Sequence, residues 1–475
     1  MKHVWKGLIS ALLAVTLGYA AGAYPQVAAD EAALEEWAYS LGLQAYVFGL
    51  PLIVHEREYA LRTDAAKIER IRDKCPCAMI NEMGHKEHLT TAADVMPYTP
   101  NNDTVYSGAV IDATDEPVIL SLPDNEDRYW SVQVADPYTE NTFYLGSRAS
   151  GGKGGHYAFV APGWGGQLPE GVTPHLMDYS SAFVGVRFGF TSEDSEDLAL
   201  VNTLQRQVVI TSLSNFWQGK TGQAPLPSSA RNRGIASGEF GFFHTMASQL
   251  GRYPPATVHR STVAQFELIG LVPGQPFEPD KLAEPIRRGL LRALEQGPAV
   301  MNWKFLNRGT RYSGWDKLPE GRYGYSYFAR AAGAIVGLLV HDSEEAVYLG
   351  TFQDADGELL DGSKAYRIHF DADELPPVQD KGFWSLTMYG TDFQLVKNGI
   401  DRFSIGDRTR GLGFNEDGSL DLYIQSTPPE GRESNWLPSP ASGMFRVVYR
   451  IYLPLEQARD PDTLEKHLPK LEAVE

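Results

Sequence analysis

The chain repeats itself. Tyr106-x-Gly108-x-x-x-Asp112-Ala113 returns as Tyr348-x-Gly350-x-x-x-Asp354-Ala355. "LPDNEDRYWSV" is answered by "PPVQDKGFWSL", with Pro123 and Pro377 each seven residues before Trp130 and Trp384. "FYLGSR" (Phe143 to Arg148) is answered by "FSIGDR" (Phe403 to Arg408), then "GHYAFVAPGW" by "GSLDLYIQST" and "GQLP" by "NWLP". Motifs kept in order across variable gaps constrain the fold strongly, because whatever the first copy builds the second must build too. The runs are short, rich in β-branched and aromatic residues, and separated by Pro, Gly, Asn and Asp clusters, which predicts a β-sandwich or barrel. Insertions such as "DADGELLDGSK" fall where hairpin turns would lie.

Helical spacing occupies the rest. Leu34, Trp37, Ala38, Leu41, Ala45 and Phe48 form a stripe from Asp30 onward, which Pro51 is expected to end. Leu282, Ile286, Leu290, Leu291 and Leu294 form another, with Asp280 as N-cap and Pro298 as break, and "YFARAAGAIVGLLV" reads as a buried helix. The expected fold is mainly β with a helical insert: two related β-sandwich or jelly-roll domains flanking a small α-helical domain. The boundaries fall at 1–23 (signal peptide), 24–103 (helix and polar loop leading into the first sandwich), 104–190 (first sandwich), 191–344 (helical module) and 345–475 (second sandwich).

The first residues read as an export signal: Lys2 and Lys6, an apolar run from Leu8 to Ala20, and Ala21-Gly22-Ala23 as a cleavage site. A periplasmic or secreted protein without a membrane span is expected, since no later run reaches the roughly 20 apolar residues a span needs. Cleavage near Ala23 removes two of the 42 basic residues and none of the 60 acidic ones, leaving a net charge of −20. That disfavours nucleic acid, which requires a basic footprint. Cys75 and Cys77 form a "CPC", with Met79, Met83, His85, His88 and Met96 nearby. Local packing or a labile disulfide is the main reading, and a soft-metal site through Cys75 and Cys77 the weak alternative.

Trp130, Trp384, Arg148 and Arg408 recur in both copies, so scaffold duty explains them. What one copy lacks points better to function, and "PNND" (100–103) has no evident counterpart in "HDSEEAV" before Tyr348. No Gly-x-Ser-x-Gly, His-Glu-x-x-His or Gly-x-Gly-x-x-Gly motif occurs, and no motif requires a cofactor. The candidate site is therefore the polar cluster of residues 81–141. His85, Asp103 and Asp136 are the expected acid–base groups, and Asn81, Asn101, Asn102, Tyr106, Gln133, Tyr138 and Asn141 the expected substrate contacts. Alternation along "YWSVQV" places Ser131, Gln133 and Ala135 on one face, with Trp130, Val132 and Val134 on the other.

With "NEMGH", "PNNDTVYSGA", "RYWSVQVADPYTENTFYLGSR", "YFARAAGAIVGL", "GSKAYRIHF", "GFWSLTMY", "FSIGDR" and "NWLP", the chain resembles exported bacterial proteins in which domain of unknown function 1254 precedes domain of unknown function 1214. The resemblance implies a sandwich, a small helical domain and a jelly-roll-like C-terminal domain, and no general reaction. Met83 departs from it, standing where an aromatic is usual between Asn81 and His85. The first functional expectation is a hydrolase-like enzyme acting on a polar small molecule or glycan at an inter-domain cleft. A non-catalytic ligand-binding or assembly protein of the cell envelope and a periplasmic metal-handling protein are the alternatives, and a homo-oligomer is compatible with each.

Overall fold

The computed structural model describes residues 30–94, 99–190, 195–222, 225–307, 309–318, 320–336 and 338–474. The expected signal peptide and Met96 lie outside them. The helices used below are α1 (Glu31–Leu61), α2 (Ser195–Gln207), α3 (Gly241–Arg252), α4 (Arg260–Phe266), α5 (Glu284–Leu306) and α6 (Tyr327–Val336).

Asp30 caps α1 by accepting the Ala33 N–H at 3.1 Å. The helix then runs through Pro51, and α5 runs through Pro298, against expectation. An interior proline costs a helix about 3 kcal/mol. Burial on both sides of it offsets that cost here: Phe48, Leu52 and Tyr59 are fully buried and Val54 nearly so. Asp280 is not the cap of α5; it sits in a separate 3-10 turn, and α5 begins at Glu284 with Pro285 in its first turn. By composition α1 is long and apolar enough to cross a membrane. In this fold Ala38, Leu41, Ala45, Phe48 and Leu52 share a core with α3, α4 and Leu290 of α5, and Arg288 and Arg292 reach Glu35 and Glu36 at 2.8 Å each. The N-terminal helix thus belongs to the helical module rather than leading into the first sandwich.

The first sandwich contains β1 (Gly84–Lys86), β2 (Thr104–Asp112), β3 (Val118–Leu122), β4 (Trp130–Ala135), β5 (Asn141–Gly146), β6 (Gly155–Val160), β7 (Val172–Leu176), β8 (Ser181–Gly189) and β9 (Val209–Ser212). Its sheets have the orders β1-β2-β8-β4-β5 and β7-β6-β3-β9. The remaining strands are β10 (Thr310–Tyr312), β11 (Trp315–Lys317), β12 (Ala346–Thr351), β13 (Ala365–Phe370), β14 (Val378–Gly390), β15 (Ser404–Gly406), β16 (Leu420–Gln425), β17 (Trp436–Pro438), β18 (Phe445–Pro454) and β19 (Leu471–Val474). They form β10-β11-β12-β18-β14-β15 and β17-β16-β13-β19.

The two halves correspond in strand pairing and register. Tyr106, Arg187, Ser131 and Gly146 form one cross-strand row. Tyr348, Arg450, Ser385 and Gly406 form the same row in the second half. Trp130 stands opposite Phe188, and Trp384 opposite Ile451. Even the exceptional parallel pairs, β6 with β7 and β16 with β17, correspond. Strand β9 carries the first sandwich to Ser212, past the expected end at 190, because it pairs with β3 across the intervening α2. Strands β10 and β11 join the second sandwich from residues expected to be helical.

Alternation then sorts the side chains. Trp130, Val132, Val134, Val184, Val186 and Phe188 point into the first core. Trp384, Leu386, Met388, Val447, Tyr449 and Ile451 point into the second. The opposite faces carry Ser131, Gln133 and Arg187, and Ser385, Thr387 and Arg450, all of them buried as well. They are buried because these polar faces are turned toward the other half, with residues 339–342 covering Gln133 and Arg187.

Candidate functional site

The meeting of the sheets is reciprocal. Glu345 stands three residues before Tyr348 and Asp103 three before Tyr106, so they are equivalent positions. Arg148 Nε donates to Glu345 Oε2 at 2.8 Å, and its equivalent Arg408 donates from Nη2 to the Asp103 carbonyl at 2.8 Å. Each half's arginine thus reaches the equivalent position of the other half, the Glu345 carboxylate in one case and the Asp103 main-chain carbonyl in the other, an arrangement like a self-complementary dimer interface within one chain. Copy-specific detail is confined to the partners. Tyr129 donates to Glu345 Oε1 at 3.1 Å and lies beside Ser131. Its counterpart Phe383 has no hydroxyl, and Ser385 donates directly to Asp103 Oδ2 at 2.8 Å. The expectation that Asp103 lacks a counterpart is thus corrected: an Asp-for-Glu exchange within dissimilar wording concealed it.

On the Asp103 side the interface opens into a cavity of about 690 Å³. Asn102 and Asp103 meet Ser385, Ser404, Arg408 and Thr409 there, with Lys397, Asp401 and Arg402 at its second-sandwich wall and Phe190 and Leu198 at its first. Asn102 is held at both ends of its amide: Nδ2 donates to the Thr90 carbonyl at 2.6 Å, and Oδ1 accepts from Ser404 at 3.1 Å. Asn101 donates to the Tyr452 hydroxyl and accepts the Asp103 N–H. Arg402 is braced against the carbonyls of Glu433 and Trp436 at 2.9 and 3.0 Å. The result is a cleft of ligand size with a largely apolar lining and a few placed polar groups, among them three cationic side chains and two carboxylates, with Asp103, Arg402 and Arg408 each already making bonds within the protein.

The other expected site residues separate into different environments. Asn81 Oδ1 accepts the Asp112 N–H at 2.7 Å and its Nδ2 donates to the Asp112 carbonyl at 2.9 Å, tying the loop to β2. His85 lies on β1, with Nδ1 2.8 Å from Ser107 Oγ, and burial lowers its pKa. It makes no hydrogen bond to Asp103, whose carboxylate faces Ser385 and Tyr452. The expected His85–Asp103 pair does not form, because β1 pairs with the middle of β2 whereas Asp103 precedes its start. Tyr106 lies under the Arg187 guanidinium, whose Cζ is 5.3 Å from its ring centroid.

Gln133 and Asn141 hold chain rather than substrate. Both donate to the Val340 carbonyl, at 2.7 and 2.8 Å, and Asn141 also reaches Asp342 at 2.8 Å. Arg187 adds bonds to the Leu339 carbonyl and His341. Residues 338–342 thus run where a ligand was expected. Asp136 accepts the N–H groups of Tyr138 and Glu140 at 2.8 and 2.9 Å, and burial pushes its pKa up to about 7. Tyr138 donates to the Tyr253 carbonyl at 2.7 Å. Cys75 and Cys77 are joined in a disulfide, which consumes the two thiolates a soft-metal site would need. Among the described residues no group of three or more His, Cys, Asp or Glu side chains could hold a metal ion.

Sequence reasoning missed Ser385, Ser404, Lys397 and Arg402, and set Arg408 aside as scaffold. The signal for Ser385 was present in the repeat, which pairs it with Ser131. Lys397 and Arg402 lie between repeat motifs and carried none.

A duplicated sandwich with a helical module between its copies defines the class of protein. Residues 80–212 match the family described as "Protein of unknown function (DUF1254)" and residues 345–456 match "Protein of unknown function (DUF1214)". The chain carries both domains, in that order. No curated protein matches it. The crystal structure of the VPA0106 protein from Vibrio parahaemolyticus is similar over 92% of this chain and 100% of that chain, at 24% identity and a TM-score of 0.67, and shares the fold. A putative uncharacterized protein from Burkholderia cenocepacia aligns over 94% of this chain and 96% of that chain at 12% identity and a TM-score of 0.43.

Proposed function

We propose that the protein is a binding protein for a polar small molecule or short glycan carrying an anionic group, and that the cleft between the sandwiches is its site. The observation that carries this is the cavity of about 690 Å³ bounded by Asn102 and Asp103 on one side and Ser385, Lys397, Arg402 and Arg408 on the other. Directional amide and hydroxyl groups suit a polyhydroxylated ligand, and the cationic excess suits a carboxylate on it. The apolar N-terminal stretch fits a signal sequence, so the ligand would be met outside the cytoplasm. Binding is the better reading than hydrolysis because His85, Asp103 and Asp136 lie apart, and His88, which lines the cleft, turns its ring nitrogens to the Leu89 and Asp73 carbonyls at 2.9 and 3.2 Å rather than to Ser385 or Asp103.

Calorimetric titration with galacturonate, glucuronate and their short oligomers, against the neutral sugars, tests the proposal. Sugar acids should bind, neutral sugars more weakly, and the ligand should be recovered unchanged. Asn102→Ala should weaken binding about tenfold through a lost buried hydrogen bond, and Lys397→Ala about threefold, as an exposed charge would. Absence of binding across the panel, or equal binding by both variants, overturns it; steady release of cleaved product would restore the hydrolase reading.

A further inference from the structure

We propose that Arg330 forms the floor of a second ligand site, separate from the cleft, which receives the carboxylate of a small organic acid between the first sandwich and the helical module. Arg330 is the only charged residue of the apolar helix α6 and is 1% exposed. Its Nε, Nη1 and Nη2 have no hydrogen-bond acceptor. The nearest carboxylate oxygen, Glu140 Oε1, is 3.6 Å from Nη1 and is itself without a hydrogen-bond partner. Arg446 and Arg62 are also buried and each has an Nε without an acceptor, but three other buried arginines reach acceptors. Arg187 donates to Gln133 and the Leu339 carbonyl, Arg233 to Glu56, and Arg450 to Thr387 and Tyr389. A buried donor left unmade costs about 1–3 kcal/mol, and more when charged. A guanidinium held dry, ion-paired to Glu140 at 3.6 Å but without a hydrogen-bond acceptor, is therefore organised for an acceptor that arrives from outside.

The surroundings define that acceptor. Phe48, Tyr138 and Tyr327 wall the guanidinium, with ring centroids 5.2, 5.4 and 5.0 Å from Cζ. The rings come from α1, the turn after β4, and α6 itself, so they are fixed by three elements. His259 Nδ1, 2.8 Å from the Tyr327 hydroxyl, positions one of them. Asp136, Glu140, His259 and Tyr327 each keep part of their surface in solvent, so the ligand would enter from their side. A planar fork of N–H donors matches a carboxylate through two parallel bonds, and flat apolar walls suit an aromatic or unsaturated body. None of these residues lines the inter-sandwich cleft.

Benzoate and its neutral isostere benzamide are the probes, titrated calorimetrically into the full chain and into Arg330→Met, Glu140→Gln and Asn102→Ala. The site requires saturable benzoate binding with a dissociation constant of about 1 mM or tighter, and benzamide at least about tenfold weaker. Glu140→Gln removes the competing carboxylate and should tighten benzoate several-fold. Arg330→Met should abolish binding, whereas Asn102→Ala should leave it unchanged, which separates this site from the cleft. A purely structural Arg330–Glu140 pair predicts a different pattern: Glu140→Gln loses stability and gains no benzoate response. That pattern overturns the proposal even where Arg330→Met fails to fold, as does benzamide binding equal to benzoate or binding that survives in Arg330→Met.

Discussion

Arg148 of the first sandwich donates to Glu345 of the second at 2.8 Å, and Glu345 is 1% exposed while Arg148 keeps about a fifth of its side chain in solvent. Removing one member of such a pair leaves the other with an uncompensated charge. Arg148→Met should therefore destabilise the protein by roughly 2–4 kcal/mol in denaturant unfolding, below the loss for a fully buried pair because Arg148 is partly solvated. The double variant Arg148→Met, Glu345→Gln should lose less than the sum of the single variants. Strict additivity would show that the contact does not couple the halves.

The repeat made much of this legible. Trp130 and Trp384 were recognisable as equivalents because core packing between two sheets tolerates little change in so large a side chain. Asp103 and Glu345 were not, because Arg408 takes the Asp103 main-chain carbonyl where Arg148 takes the Glu345 carboxylate, so the side chain at this position is free to differ, as is the flanking loop. Pro51 and Pro298 misled for a related reason: local propensity breaks a helix there, and tertiary burial outweighs it. Gln133 and Asn141 were read as substrate contacts; that they hold chain instead depends on residues 338–342, which are distant in sequence. Arg330 gave a signal that went unused, one charge in an otherwise apolar helix.

Asp136 gives the fold a pH signature. Burial raises its pKa from 3.8 to about 7. Between those values the unfolded chain has released the proton and the native chain retains it, so stability falls as pH rises from about 4 to about 7 and is level above. Asp136→Asn should remove this slope while keeping both turn hydrogen bonds. The difference between the two proteins over that interval should be about 2 kcal/mol after discounting for the partial exposure of Asp136. A wild-type protein whose stability rises across the interval relative to the variant contradicts the assignment.

The disulfide loop has a shaped seat. Gly84 and Gly108 are paired in register on β1 and β2. A Cβ on Gly84 would lie 2.5 Å from the Cys77 carbonyl carbon, and one on Gly108 would lie 2.9 Å from the Pro76 oxygen. Both contacts are to backbone, which cannot swing aside. Gly84→Ala should cost about 1–3 kcal/mol in chemical denaturation, with Gly108→Ala nearer the low end. Wild-type stability in both variants would show that the loop does not rest there.

His85 serves as a control. Its ring meets Ser107 and stands away from Asp103. His85→Ala should lower stability by about 1 kcal/mol and leave sugar-acid affinity unchanged in the same titrations. A loss of affinity comparable to that of Asn102→Ala would return His85 to the site.

The most direct measurement is a crystal structure of the protein soaked with the sugar acid that binds best in solution. The account predicts ligand density in the inter-sandwich cleft, with the carboxylate toward Lys397, Arg402 or Arg408 and hydroxyls on Asn102. Density elsewhere with this cleft empty, at an affinity matching solution, would contradict it.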